Sequence, residues 1–271
     1  MTSFFRLLAI LSVFAVNGEV SFAHDENLDM VFFPAGEFLM GSPNDMGQRD
    51  EHPQRRVYLD SFYLDRYEVT GQDFEEYLEA HPNRHPTITG WFDRKVRPGM
   101  EKRPVIGLTW KRCSNYCAWR GKRLPTEAEW ERAAAGLTQR VYPWGSEPPD
   151  PSRANFNKCC FIRKGEILEE VGTYELGKTP EGVYDMAGNI AEWVYDWYGK
   201  DYYKHSEHKN PRGPEKGKYH AIRGGAWNSL PTFLRSADRY GSDDAHLFYG
   251  IGCRCAKSAR PSAKNKALKN K

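Results

Sequence analysis

Apolar positions recur with a period of two in short bursts, and with a helical period in only three places. Met30–Ser42 (M-V-F-F-P-A-G-E-F-L-M-G-S) alternates and then breaks at Pro and Gly, which predicts strand and turn. Val57–Val69 predicts further strands, and Thr70 then caps a short helix to about Ala80, stopped by His81-Pro82. Thr109–Arg120 carries Trp110, Cys113, Tyr116 and Cys117 on one helical face and stops at Gly121. The third helix has its ends written in. Thr126 and Glu129 form a T-x-x-E capping box after Pro125, and Gly136 follows a run of alanines. Elsewhere the pattern is irregular. Pro82–Arg103 and Leu137–Thr173 read as long loops, and no repeat or interdomain linker interrupts the chain.

Gly182–Trp193 (G-V-Y-D-M-A-G-N-I-A-E-W) fits neither period. It places the carboxylates Asp185 and Glu192 around Ala187-Gly188-Asn189, whose carbonyls are able to turn inward. Side-chain and main-chain oxygens in that arrangement suit a hard cation. The competing role for Glu192 is an ordinary ion pair.

Composition narrows the class. Aromatics make up 14% of the chain, with 24 Gly and 17 Pro, which suits one compact, loop-rich domain with ample core material. Arg6, the apolar run Leu7–Val16 and Ser21-Phe22-Ala23 read as a cleaved secretory signal over residues 1–23. The apolar run is too short to span a bilayer as an anchor. A secreted or periplasmic protein is therefore expected, not membrane-spanning, with its domain over 24–256. Residues 257–271 carry six Lys or Arg and no acid, so a net charge of +3 becomes about −3 without them. This tail reads as a disordered, solvated extension or as a contact for an anionic surface. Nucleic acid is not an expected partner, and a monomer is expected.

Six cysteines in an oxidising compartment suggest bridges. Cys113 and Cys117 share a helix face, and Cys253 and Cys255 share a face if they lie on a strand. Two such pairs fit either two parallel bridges or a four-cysteine metal site, although neither spacing is C-x-x-C. Cys159-Cys160 fits a strained vicinal bridge or two thiols.

Eight segments in order resemble the formylglycine-generating enzyme, or sulfatase-modifying factor, family. They are Met30–Ser42, Phe62–Thr70, Arg103-Pro104-Val105, Gly121–Gly136, Tyr142-Pro143-Trp144-Gly145, Gly182–Trp193, and the closing pair Arg223–Trp227 and Gly252–Ala256. The resemblance implies an α+β, C-type-lectin-like fold with little regular secondary structure. It implies a Cys117–Cys255 bridge, which leaves Cys113–Cys253 as an addition particular to this chain. It also implies structural calcium. One site would use Asp185, the Gly188 and Ile190 carbonyls and Glu192; a second would use Asn155 and the Phe156 carbonyl.

The same resemblance exposes a gap. The family oxidises cysteine with copper held by two cysteines, five apart, after R-G-G-S. Here Arg223-Gly224-Gly225 runs into Ala226, and the corresponding positions are Ser229 and Leu234. No copper is expected. Histidine offers weak substitutes. His81/His85 and His205/His208 have helical spacing but sit in loops, and His24 would be the mature N-terminus. A Ser229–His246–Asp238 triad has no geometry in sequence. The expectation is an atypical tailoring enzyme or accessory factor of unknown substrate. The alternatives are a binding module for a peptide, glycan or small molecule and, remotely, a true formylglycine-generating oxidase. A variable groove would be lined by Trp227, Asn228, Phe233, Arg235, Asp238, Arg239 and Tyr240, with Arg235 and Arg239 also suited to buried ion pairs.

Overall fold

The structure is a computed structural model that describes residues 29–83, 91–92, 94–158, 167–243 and 250–259. The signal segment 1–23, His24, His85, His246, Cys159-Cys160 and the tail beyond residue 259 lie outside the described residues.

The N-terminal alternation resolves into β1 (Met30–Phe33) and β2 (Gly36–Met40), followed by β3 (Arg55–Leu59) and β4 (Phe62–Asp65). Strands β2 and β3 pair antiparallel. Thr70 caps α1 (Gly71–Ala80) through the Asp73 amide, while the Asp73 carboxylate accepts from the Thr70 amide at 3.0 Å. The loop after α1 holds a small hairpin of β5 (Trp91–Phe92) and β6 (Lys95–Val96). Next come α2 (Trp110–Trp119) and α3 (Glu127–Ala135). The box predicted for α3 is present: the Glu129 amide donates to Thr126 Oγ1 at 3.2 Å, and Glu129 Oε2 accepts from the Thr126 amide at 2.8 Å. No regular strand or α-helix occurs among the described residues from Gly136 to Ile190; the one short helical element there is a 3-10 helix at Glu175–Gly177.

The second half forms β7 (Ala191–Trp197), β8 (His220–Arg223), β9 (Arg239–Ser242), β10 (Ile251–Gly252) and β11 (Ala256–Ser258). One sheet runs β10-β7-β8-β9, parallel only between β10 and β7. The other runs β1-β4-β11, so the chain's first and last described strands flank one central strand. A core containing Trp130, Val57, Leu64 and Val194 joins α3 to both sheets. A second core gathers α1, α2 and the C-terminal segment around Trp193. The α+β expectation holds.

The Cys117–Cys255 bridge is present, with a Cα–Cα distance of 5.6 Å. The second expected bridge is not: Cys113 and Cys253 are buried thiols in the same apolar core. The expectation assumed a continuous strand through both C-terminal cysteines. Residues 253–255 instead break between β10 and β11, so the i,i+2 rule that aligns side chains along a strand does not govern them. No zinc-like cluster forms either. Among the described residues, no three His, Cys, Asp or Glu side chains converge in a metal-holding group.

Candidate functional site

The irregular turn before β7 is built from residues that tolerate left-handed backbone. Asp185, Gly188 and Asn189 have φ of +57°, +80° and +57°. At Gly188 the freedom is obligatory, because a Cβ there would lie 2.4 Å from the Asn155 carbonyl oxygen. The turn welds distant segments together. The Asn189 amide donates to the Asn155 carbonyl at 2.8 Å, and the Gly188 amide to the Gly224 carbonyl at 2.9 Å. The Asn189 side chain donates to Glu68 Oε2 at 2.8 Å; its Oδ1 accepts from Asn155 Nδ2 at 3.0 Å and from the Glu169 amide at 3.1 Å.

Electrostatics single out this region. Glu192 is fully engaged: Arg254 clamps both of its oxygens at 2.7 and 2.8 Å, and Trp130 Nε1 donates to Oε2 at 2.9 Å. The ion-pair role weighed for Glu192 therefore describes what it does here. Its neighbours are less well compensated. Burial raises Glu68 well above the usual carboxylate range, and the nearby charges of Asp185 and Glu192 push it further. Burial pushes Asp185 up to about 6, although Arg254 and the Gly172 amide favour its ionised form. Three buried carboxylates thus face one guanidinium, a deficit of two positive charges when all are ionised. Among the described residues, neither the Gly188 nor the Ile190 carbonyl is used in the backbone bonds that tie the turn together. Asn155 Oδ1 is buried with no hydrogen-bond partner among the described residues, while its Nδ2 donates to the Ile167 carbonyl at 2.7 Å. In donor type the Asp185 carboxylate and these carbonyls suit a hard cation, although no three described carboxylates converge on one metal-holding point.

The segment after Arg223-Gly224-Gly225 forms the predicted groove only in part. Trp227, Asn228, Phe233 and Tyr240 are half-buried or exposed, and Phe233 meets Tyr240 edge-on at 5.8 Å. Arg235, Asp238 and Arg239 are instead part of an internal ion network. Arg235 binds both Glu51 oxygens at 2.7 Å and Asp238 Oδ1 at 3.1 Å. Arg239 binds both Glu127 oxygens at 2.7 Å beneath Tyr198 and Tyr203. Arg223 pairs with Glu131 and donates to the Ser236, Ala237 and Asp238 carbonyls. Three arginines from the groove segment are thereby pinned to carboxylates of α3 and the loop before β3, so they position the groove rather than line it.

A further aromatic cluster packs beside this segment. The Asn157 and Lys158 amides donate to the Ser229 and Trp227 carbonyls at 3.0 and 2.9 Å. This brings Phe156 and the stacked pair Tyr142–Trp144, with centroids 5.4 Å apart, against Leu234. Only the Tyr-Pro-Trp-Gly run hinted at an aromatic wall. The positions corresponding to the family's thiolates are both built into the fold. Leu234 is fully buried in this apolar cluster, and Ser229 Oγ accepts from the Ala226 amide at 2.9 Å. Of the histidines considered as ligands, His81 Nδ1 contacts the Tyr77 carbonyl and His208 Nε2 contacts Glu37.

The family profile described as Sulfatase-modifying factor enzyme 1-like domain matches residues 17–259. The chain is 40% identical over 248 residues to the serine/threonine-protein kinase pkn1 of Chlamydia caviae, covering 86% of this chain but 38% of that protein. The kinase name thus belongs to a chain much longer than the matched part. It is 30% identical over 286 residues to the formylglycine-generating enzyme of Mus musculus, covering 86% and 76% of the two chains. PvdO from Pseudomonas aeruginosa superposes with a TM-score of 0.70 at 28% identity, over 85% of this chain and 94% of that one. With the profile spanning most of its length and the fold shared, this chain belongs to the formylglycine-generating enzyme, or sulfatase-modifying factor, family.

Proposed function

We propose that this chain is a family member that has left copper-dependent cysteine oxidation behind. It acts outside the cytoplasm as an accessory or tailoring protein whose aromatic groove receives a peptide, glycan or small molecule. One observation carries the reading: the two thiolate positions are a serine committed to a backbone amide and a leucine sealed in an apolar cluster. Cuprous ion needs soft, ionised sulfur presented together. Neither position supplies it, and replacing Leu234 by a thiol would expose nothing to a ligand without reshaping the Tyr142–Trp144–Phe156 wall. The remaining groove surface is apolar and aromatic around Trp227 and Phe233, with Asn228 as its exposed polar group, which suits binding by stacking.

The test is a sulfatase-type C-x-P-x-R peptide offered with copper and oxygen, read by mass spectrometry. No thiol-to-aldehyde conversion above a no-enzyme control is expected. Copper-dependent turnover overturns the reading and directs attention to Cys159 and Cys160.

Calcium is proposed as a structural ion of the turn. Asp185, Glu68 and the Gly188 and Ile190 carbonyls would hold one ion, and Asn155 Oδ1 with the Phe156 carbonyl would contribute to a second. The ion would supply charge compensation and cross-linking of loops, not chemistry.

A further inference from the structure

The β1-β4-β11 sheet buries one face; the other is covered at Met30 and opens to solvent at Phe32. Val31, Phe33, Phe62, Leu64 and Ala256 point into the core. An antiparallel sheet of this kind places polar side chains on its solvent face. Here the pairing register sets Phe32, Tyr63 and Lys257 in one row across all three strands. Phe32 is 50% exposed, and its ring lies 5.1 Å from that of Tyr63. Packing gives no reason for two aromatics there, since the opposite face already supplies this sheet's core.

The third member of the row opens the basic tail. Lys257 is the first of six Lys or Arg in residues 257–271, a stretch without a single acid. Because β11 runs antiparallel to β4 and ends opposite Phe62, the chain leaves the sheet beside Phe33 at the far end from Asp29. The polybasic stretch therefore starts at the aromatic row.

We propose that this face docks on an anionic lipid bilayer. Exposed aromatic rings partition to the headgroup–acyl boundary, and clustered Lys and Arg gain from the negative surface potential. Either element alone gives marginal attachment, and two signals together give stable attachment. The aromatic row is what distinguishes a bilayer from a soluble polyanion, which the tail alone would satisfy. This proposal is independent of what the groove binds.

The experiment is co-sedimentation of the chain starting at His24 with vesicles of phosphatidylglycerol and phosphatidylcholine, against vesicles of phosphatidylcholine alone. Binding is expected only to the anionic vesicles, weakening as salt rises. Two variants are measured beside it: Phe32→Ser with Tyr63→Ser, and the tail with its cations changed to Gln. Both change solvent-facing groups, and unchanged melting temperatures confirm the fold. Each is expected to bind about tenfold more weakly. Equal binding to neutral vesicles overturns the proposal, and so does full binding by either variant. Loss in the tail variant with none in the Phe32/Tyr63 variant assigns the tail to polyanions in general and rejects the bilayer-docking face.

Discussion

Asp238 shows how a single carboxylate reports on the ion network. Burial pushes it up to about 6, against the opposing pull of Arg235. A carboxyl raised above its unfolded value of 3.8 holds its proton longer when folded. Its contribution is therefore favourable at low pH and is lost as pH rises from about 4 through 6. Asp238→Asn removes that proton while Arg235 keeps both Glu51 bonds. The melting temperature of the wild type relative to this variant should fall across pH 4–7, by the equivalent of roughly 2–3 kcal/mol. A pH-independent difference would show that Asp238 does not titrate in this window. Arg223, by contrast, was legible only as the first letter of a motif. Its task, clamping three consecutive carbonyls to α3, required the tertiary structure to bring residues 131 and 236–238 together.

At the scale of elements, the turn before β7 depends on one glycine more than on any carboxylate. Gly188 combines a positive φ with a 2.4 Å approach of its would-be Cβ to the Asn155 backbone, and backbone does not swing aside. Gly188→Ala should cost at least about 2 kcal/mol, read by urea denaturation. A loss below about half a kilocalorie would mean that the 155 and 189 segments separate easily. The three helices were predictable for a local reason. Thr70 and Thr126 cap through side chains three residues away, so a short window of sequence contains every partner. The cysteine pairing was half predictable. The helix spacing held, while the C-terminal segment broke out of strand geometry between Cys253 and Cys255 and left two thiols where a second bridge was expected.

The whole molecule is held by cross-links between loops more than by regular structure, and the calcium proposal belongs at this scale. Glu68 and Asp185 come from different segments, so an ion between them would tie these together. Calcium should raise the melting temperature through linkage, and EDTA should lower it. At about a hundredfold excess over the dissociation constant the gain is roughly 2.7 kcal/mol. No EDTA effect, together with no calcium by elemental analysis, would remove calcium from the account.

The sequence by itself determined the family, the three capped helices, the loop-rich α+β character and the loss of both thiolate positions. Each is a matter of residue identity or of partners a few positions apart. The tertiary structure decided which charges are compensated. Glu192, expected as a metal ligand, is held by Arg254 on both oxygens, while Glu68, quoted only as part of a motif, is the acid that burial and neighbouring carboxylates push up. It also decided that Arg235 and Arg239 are tied to Glu51 and Glu127 and that Tyr142, Trp144 and Phe156 pack against Leu234. Burial and long-range pairing set these outcomes, and they depend on distances between segments such as Glu51 and Arg235, 184 residues apart, which no local pattern encodes.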